Sequence, residues 1–538
     1  MAMRVTNHMI MNRANTNINY AKSVVDSENT QMTSQKKISR PSEDPVIAVR
    51  SLRLGTSISK VNQYYEKNIP DAESWMDITD QAISNMKDIL KDVHTLAVQG
   101  SNGTLTADDR NAIYTQLQSL QSQMYYEGNT DCAGRTVFTG YRTDKKLTFG
   151  EEAKAADYDI TQTINIRDEA ATGRYISGTA VIPSAADIKA GKQPAEDITE
   201  NKYTRIRLAY QDLTAVPGQT PGGGTSTGTG TTVDVSSQYK NFKITGEDGT
   251  VLFDAAGTAS SSYSLKVYET EEEWEAASGD HVKTVGKNEM VLIKKTGEII
   301  LGETAANDMK SANASLTIGY NKSGFEENDL RPEYYYNCVD KTDVNNKVTY
   351  TRYDKNGDAV NQSIEYTVAQ NQNLGVNIEA KDVFDSALQR DMQEMLNVVS
   401  NAKDAHKKLD DIDSMIKSGL YSGEELITLN QWKDRAQKEA DYADSKLQST
   451  FSNDVTNSQN YINRLTLAGT NLGCKGDQLA MTKKRVSEQQ ESLTELQSKN
   501  DDMDLSEIVL KYTAAYTAYQ SSLQAASKVG SLSLLNYL

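Results

Sequence analysis

The chain has 538 residues, a net charge of -17 and a hydrophobic content of 37%. This length predicts about three or four domains at roughly 100 to 200 residues each, and the low hydrophobic content predicts thin cores. Residues 1–60 hold nine Lys or Arg against four Asp or Glu, a local charge of +5, so the other residues carry -22 (-17 minus 5). Such an acidic body argues against nucleic-acid binding.

The sequence shows no sign of membrane insertion or of a disulfide framework. No segment approaches the roughly 18 apolar residues of a membrane-spanning helix, and the N-terminus lacks the apolar core of a cleaved signal peptide. Cys132, Cys338 and Cys474 are odd in number and far apart, which excludes a disulfide framework. We expect each to be a small, inert and partly buried residue.

Both ends of the chain carry apolar residues in alternating steps of three and four, the spacing of a helix that packs along a partner helix. Burying a large apolar side chain stabilises by about 1.5 to 3 kcal/mol, whereas ordering each backbone residue costs roughly 1 to 2 kcal/mol. We therefore predict terminal helices that are loose in the monomer and ordered by neighbouring subunits; the alternative is that they pack on the chain's own middle. The predicted assembly interface consists of Met11, Ile18, Val25, Met32, Leu505, Ile508, Tyr512, Tyr519 and Val529.

Two further helical segments follow the first. Asp44 is a natural N-cap with Pro45 at the first helical position, so a helix should begin there. Thr106, with Asp109 three residues later, predicts a capping box at the start of another helix. Between them, with Pro70 expected to kink or restart the helix, lies the most regular seam, formed by Ala72, Met76, Thr79, Ile83, Met86, Leu90, Val93, Ala97 and Gly100.

Residues 151–376 show the two-residue alternation of β-strands. Hairpin turns are predicted at Asp248-Gly249, Thr296-Gly297 and Asn356-Gly357. The Gly-, Thr- and Ser-rich stretch 217–232 predicts a flexible linker between two β units. It does not match a phosphate-binding loop, because no Lys-Ser or Lys-Thr pair follows its glycines.

Helical spacing returns between Leu388 and Ile416. A second helix is predicted from about Glu424 to Asn453 and a third from near Cys474. The expected fold class is therefore α+β: an elongated multi-domain rod whose N- and C-terminal helices pair as a coiled coil, with a central β-rich insertion. The predicted domains are 1–45 with 495–538, 46–150 with 377–494, and 151–376.

No pattern in the sequence predicts catalysis, a metal or a cofactor. The four histidines are too far apart for a local ligand pair, and His406, on a helix seam, is expected to be a packed or hydrogen-bonded residue. Asp354, Asn356, Asp358 and Glu365 follow the spacing of a calcium loop, but Ala359 replaces its glycine and strands flank it. An Asn-Gly hairpin is the favoured interpretation.

Several segments resemble the bacterial flagellin family, and more narrowly its hook-filament junction members. The family signature includes Arg40, Pro41, Ser42, Asp44 and Pro45. The resemblance covers about the first 145 and last 70 residues. The matching segments are MRVTNHMIMN, RPSEDPVIAVRSLRL, WMDITDQAISNMKDIL, LTADDRNAI, GRTVFTGYRTD and the closing LSLLNYL.

This resemblance implies a structural axial protein without enzymatic activity, exported through the flagellar type III apparatus and found in the extracellular flagellum. The implied partners are copies of itself in a ring, the first hook-associated protein, flagellin and an export chaperone. Flagellin itself is the alternative within the family. A secreted adhesin or surface enzyme displayed by the β insertion, or a cytoplasmic coiled-coil scaffold, are the alternatives outside it.

Overall fold

A computed structural model describes residues 7–103, 105–194, 197–214, 242–255 and 262–531. The predicted linker 217–232 lies outside these residues. The described chain contains helices at both ends and strands in the middle of the sequence, so the predicted α+β class is confirmed. The helices are α1 (Asn7–Ser34), α2 (Pro45–Gln63), α3 (Ile69–Ser101), α4 (Ala107–Gly128), α5 (Ile166–Glu169), α6 (Ala185–Lys189), α7 (Glu271–Ala276), α8 (Glu303–Ser311), α9 (Ala380–Val383), α10 (Ser386–Lys417), α11 (Glu424–Asp501) and α12 (Leu505–Ser531).

The strands lie between α4 and α9. They are β1 (Asp131–Cys132), β2 (Arg135–Thr136), β3 (Asp157–Asn165), β4 (Ala171–Ser177), β5 (Thr199–Arg207), β6 (Lys243–Thr245), β7 (Val251–Asp254), β8 (Ser264–Tyr268), β9 (Glu289–Ile293), β10 (Glu298–Leu301), β11 (Ser315–Ser323), β12 (Asn337–Asp340), β13 (Val348–Tyr350), β14 (Glu365–Ala369) and β15 (Gln372–Gly375). The turns at Asp248-Gly249 and Thr296-Gly297 join antiparallel strands, as predicted.

The described residues form two compact units. The first comprises the described residues within 1–73, 365–374 and 475–538, and the second comprises those within 74–364 and 375–474. In the second unit, a six-stranded antiparallel sheet has the order β13-β12-β3-β11-β6-β7, and a five-stranded sheet has the order β4-β5-β10-β9-β8. The two sheets share one apolar core. The three-domain division expected from the sequence remains a prediction.

Local capping chemistry sets the predicted helix starts. The carboxylate of Asp44 accepts hydrogen bonds from the backbone N–H groups of Val46 and Ile47, at 2.9 and 3.2 Å. Thr106 and Asp109 form the expected capping box. A π-helical turn over Tyr64–Asn68 connects α2 to α3. This turn is closed by a hydrogen bond from the N–H of Ile69 to the carbonyl of Tyr64. This irregular turn immediately precedes Pro70, which has no N–H to donate to a helical hydrogen bond.

Helices of the second unit contact one another in two pairs, α3 with α11 and α4 with α10. His94 of α3 is 3.0 Å from the hydroxyl of Ser458 of α11, through its Nδ1 atom. Near the end of α3, Gly100 lies so close to α11 that an added Cβ would be 2.1 Å from the ring of Phe451. The side chains of α4 and α10 meet where Lys403 lies over the ring of Tyr114. All the predicted seam residues of α3 are buried.

The prediction of two separate helices within 424–501 was wrong, because α11 is continuous from Glu424 to Asp501. No proline interrupts this range. The buried positions Asp454 and Ser458 keep the helical spacing with polar side chains, and Leu465 and Leu472 resume it with apolar ones. The apolar pattern is therefore interrupted over a segment in which the helix itself continues.

Candidate assembly surface

The two terminal helices pack against each other within the chain. On α1, partly buried residues include Ile18, Val25 and Met32, which lie on the predicted seam. On α12, Ile508 is 1% exposed, and Tyr512 and Tyr519 are partly buried. The seam of each helix is thus its most covered face.

Two predicted interface residues differ from this pattern, and a third is not described. Met11, near the start of α1, is 49% exposed, and Leu505, the first residue of α12, is 56% exposed. Val529 lies in α12, but its side chain is outside the described part of the chain. Contacts of the whole predicted set with other subunits remain a prediction.

A second apolar stripe lies beside the covered seam of α12. Val509, Tyr516 and Leu523 recur every seven residues and are 45%, 44% and 41% exposed. Leu505 falls on the same side of the helix, since four residues advance an α-helix by slightly more than one turn. We name Leu505, Val509, Tyr516 and Leu523 the outer stripe. Leu505 belongs to the predicted interface, whereas Val509, Tyr516 and Leu523 do not, because they lie beside the predicted seam.

The family signature residues occupy the turn between α1 and α2. Arg40 accepts a backbone hydrogen bond from Glu43 at 3.0 Å, which closes the turn that contains Pro41 and Ser42. Asp44 then caps α2 and Pro45 begins it. These residues form the turn in which the chain changes direction between α1 and α2, and most of their surface is exposed.

The calcium-like segment forms a hairpin. One carboxylate oxygen of Asp354 accepts hydrogen bonds from the backbone N–H groups of Asn356 and Asp358, at 2.8 and 2.9 Å. Tyr353 and Ala359 pair across the turn, and Glu365 begins β14. Within the described ranges, no group of three or more His, Cys, Asp or Glu is placed to hold a metal ion.

The other singled-out residues have structural environments. The Nε2 atom of His406 is 2.8 Å from a carboxylate oxygen of Asp444, so His406 is hydrogen-bonded as predicted. Cys132 and Cys338 are buried, and burial raises the pKa of the Cys338 thiol. The expectation for Cys474 was wrong, because it is exposed on α11. It lies between the buried positions Leu472 and Leu479 of that helix, away from the covered face.

A buried ionic network joins β5 to α10 in the second unit. Arg205 pairs with Glu298 and Glu394, and Arg207 pairs with Glu394 at 2.8 Å and with Asp391. Burial alone would raise the pKa of Glu394, but the two guanidinium groups outweigh it and lower the pKa to about 2. No sequence pattern predicts this network, because its partners are up to 189 residues apart.

The terminal helices are thus paired with each other and carry an exposed apolar stripe. Residues 5–143 match the family model of the bacterial flagellin N-terminal helical region, and residues 455–538 match that of the bacterial flagellin C-terminal helical region. Both ends of the chain are therefore similar to the terminal helical regions of bacterial flagellins. Among the described helices, none has the length and apolar content required to cross a membrane.

Curated relatives match parts of the chain. One is 31% identical over 123 residues, 23% of this chain and 38% of its own length: flagellar hook-associated protein 3 of Escherichia coli (strain K12). Flagellin of Clostridium tyrobutyricum is 28% identical over 161 residues, 29% of this chain and 40% of its own length. The chain therefore spans less than half the length of these relatives.

A solved structure covers more of the chain at lower similarity. The crystal structure of flagellar hook associated protein-3 from Legionella pneumophila is 9% identical and covers 83% of this chain and 97% of its own, with a TM-score of 0.28.

Proposed function

We propose that this chain is a structural subunit of the bacterial flagellum, located at the junction between hook and filament. The proposal rests on the two flagellin helical regions and on the similarity to hook-associated protein 3 of E. coli. Its partners would be copies of itself in a ring, the first hook-associated protein, flagellin and an export chaperone. The chain would act outside the cell without a catalytic step.

The observation that carries the assembly mechanism is the incomplete burial of the terminal helices. The covered seam joins α1 to α12, while the outer stripe leaves four large side chains at least 41% exposed. Moving large apolar side chains from water onto another apolar surface lowers the free energy of the system. We infer that the seam holds the helix pair together and that the outer stripe contacts neighbouring subunits. The seam residues would then support assembly by presenting the stripe.

Removal of the gene from its host tests the location. We expect hooks without filaments in electron micrographs, together with flagellin secreted into the medium. The absence of flagellin from the medium would instead favour the second candidate, which is that this chain is itself a flagellin. The similarity to the flagellin of C. tyrobutyricum supports that candidate. Normal filaments in the deletion strain would contradict both.

Two matched substitutions on α12 test the mechanism. Val509→Asp changes the outer stripe, so the purified subunit should keep its helix content but fail to enter flagella. Ile508→Asp places a charge on the buried seam, so the terminal helices themselves should lose order. Thr517→Asp, at an exposed polar position of α12, is the control and should assemble. Normal incorporation of Val509→Asp would rule out the outer stripe as a subunit contact.

Deletion of residues 151–376 separates assembly from display. If the helices assemble the subunit, the shortened chain should still be incorporated into flagella. An adhesin carried by the β insertion would instead lose its adhesion while its helices persisted.

A further inference from the structure

The two linkers that lead into the terminal helices are hydrogen-bonded to each other. One linker follows α1, which ends at Ser34, and the other joins α11 to α12 between Asp501 and Leu505. The N–H of Lys37 donates to the carbonyl of Asp501 at 2.8 Å, and the N–H of Met503 donates to the carbonyl of Gln35 at 3.0 Å. Lys36 and Asp502 thereby form an isolated antiparallel bridge.

Side chains reinforce this bridge. The Lys36 ammonium pairs with the Asp502 carboxylate, and Ser498 donates its hydroxyl to the other oxygen of that carboxylate at 2.7 Å. The Lys36 hydrogen bond lowers the pKa of Asp502. The Lys37 ammonium donates to the carbonyl of Lys499. We name residues 35–37 and 501–503 the linker clip.

The backbone of the linker clip departs from an ordinary turn. Gln35 has a φ of 54°, in the left-handed region that a residue with a side chain rarely adopts. Its carbonyl accepts the hydrogen bond from Met503, so the unusual conformation is coupled to the cross-linker pairing. Such a conformation persists where the surrounding contacts determine it.

The terminal seam does not define its own register. A shift of seven residues along α12 replaces Ile508 by Ala515 and Tyr512 by Tyr519, so neither position receives a charged side chain. On α1, the same shift exchanges Ile18, Val25 and Met32 for one another. Heptad helices with interchangeable seam residues need an additional feature to select one register.

We propose that the linker clip selects the register of α1 against α12, because it is a directional contact that a seven-residue slip would break. The seam supplies the attraction between the helices, and the clip determines which residues face each other. This inference concerns the isolated subunit, so it stands or falls independently of the flagellar location.

Spin-label distances in the full-length chain test the proposal. Labels at Asp26→Cys and Thr513→Cys, both exposed positions, would be placed in a Cys474→Ser background, which removes the exposed native thiol. The parent should give one narrow distance distribution. In a Lys36→Ala, Asp502→Ala, Met503→Pro variant, which lacks the ion pair and one backbone donor, we expect further components from helices that are slipped by about 10 Å, the rise of seven residues.

Two more variants separate register from general weakening. The charge swap Lys36→Asp with Asp502→Lys should retain the single parental distance, because both the backbone bridge and an ion pair remain. The control Lys483→Ala removes a comparable ion pair with Glu73 in the same unit and should also retain it. An unchanged single distance in the triple variant, or the same broadening in the control, would overturn the proposal.

Discussion

Two heptad seams of this chain have the same spacing and different burial. The seam of α3, from Met76 to Gly100 in the second unit, is buried at every predicted position. On α12, Ile508 is buried, but Tyr512, Ala515 and Tyr519 are only partly covered. The period of the apolar residues is therefore not a measure of how much of a helix the chain covers.

The difference follows from the number of partners. The seam of α3 is buried along its length, and side chains of both α4 and α11 contact that helix. The seam of α12 has α1 as its described partner helix. A helix pair covers a narrower strip than a bundle does. The uncovered remainder of α12 is the surface that we assign to neighbouring subunits.

The largest expected difference in stability between the two seams comes from replacing a methionine by alanine in each of them. Met86, on the seam of α3, is 0% exposed, so Met86→Ala should lower the free energy of unfolding of the second unit by about 2 to 5 kcal/mol. Met32→Ala, on the partly covered seam of α1, should cost about 1 kcal/mol or less in pairing of the terminal helices.

Separate probes follow the two regions. All three tryptophans, Trp75, Trp274 and Trp432, belong to the second unit, so their fluorescence during urea unfolding reports on that unit. Hydrogen exchange of residues 505–528 reports on the terminal helices. Equal destabilisation by the two substitutions would remove the distinction between the seams.

Helical glycines sharpen the comparison. Gly100→Ala would place its Cβ 2.1 Å from the Phe451 ring, so we expect a loss of about 1 to 3 kcal/mol in the second unit from overpacking. The control Gly473→Ala, on α11 with open space around its Cβ position, should stabilise its helix by about 0.5 to 1 kcal/mol. Tryptophan fluorescence during urea unfolding measures both. A neutral Gly100→Ala would show that α3 and α11 separate easily.

Complete burial also has an electrostatic cost that pH can reveal. Asp454, on α11, is 4% exposed, and one of its carboxylate oxygens has no hydrogen-bond partner. Burial and the nearby Asp391 raise its pKa well above the ordinary value. Because the folded state holds this proton more tightly, the second unit should lose stability as pH rises from the unfolded-state pKa through the raised pKa.

The substitution Asp454→Asn removes that titration. We expect the variant to be more stable than the parent by about 1 kcal/mol or more at neutral pH, and to lose less stability between pH 4 and pH 8. Urea midpoints followed by tryptophan fluorescence across this range provide the measurement. A parallel pH dependence in parent and variant would contradict the assignment.

The smallest effect is expected at a partly exposed ion pair of the first unit. Lys483 of α11 is 2.8 Å from Glu73, with both side chains about one third or more exposed. Lys483→Ala should change stability by less than about 1 kcal/mol, since solvent screens such pairs. Hydrogen exchange of the surrounding helices should remain near the parental rates. A larger loss would mean that side-chain charges contribute more to this unit than apolar burial does.

Features encoded within a few residues could be predicted from the sequence. The N-caps at Asp44 and Thr106 depend on a side chain and the N–H groups two or three positions later. The hairpin at Asn356-Gly357 and the apolar faces of α3 and α12 are likewise local. Each of these needs little information about the rest of the chain.

Features that depend on partners far away in the sequence could not be predicted from it. The polar residues Asp454 and Ser458 hid the continuity of α11, because their burial and their contacts come from other helices. The pairing of Arg207 with Glu394 brings together positions 187 residues apart. The linker clip depends on the same kind of distant pairing, since its two segments belong to opposite ends of the sequence.

For this protein, the sequence by itself determined which residues start helices, which faces are apolar and which family the ends belong to, because propensity, capping and period act over short distances. The tertiary structure decided which apolar faces are covered and which remain available. Burial depends on what lies opposite a side chain, and the period of a single helix contains no information about its partner.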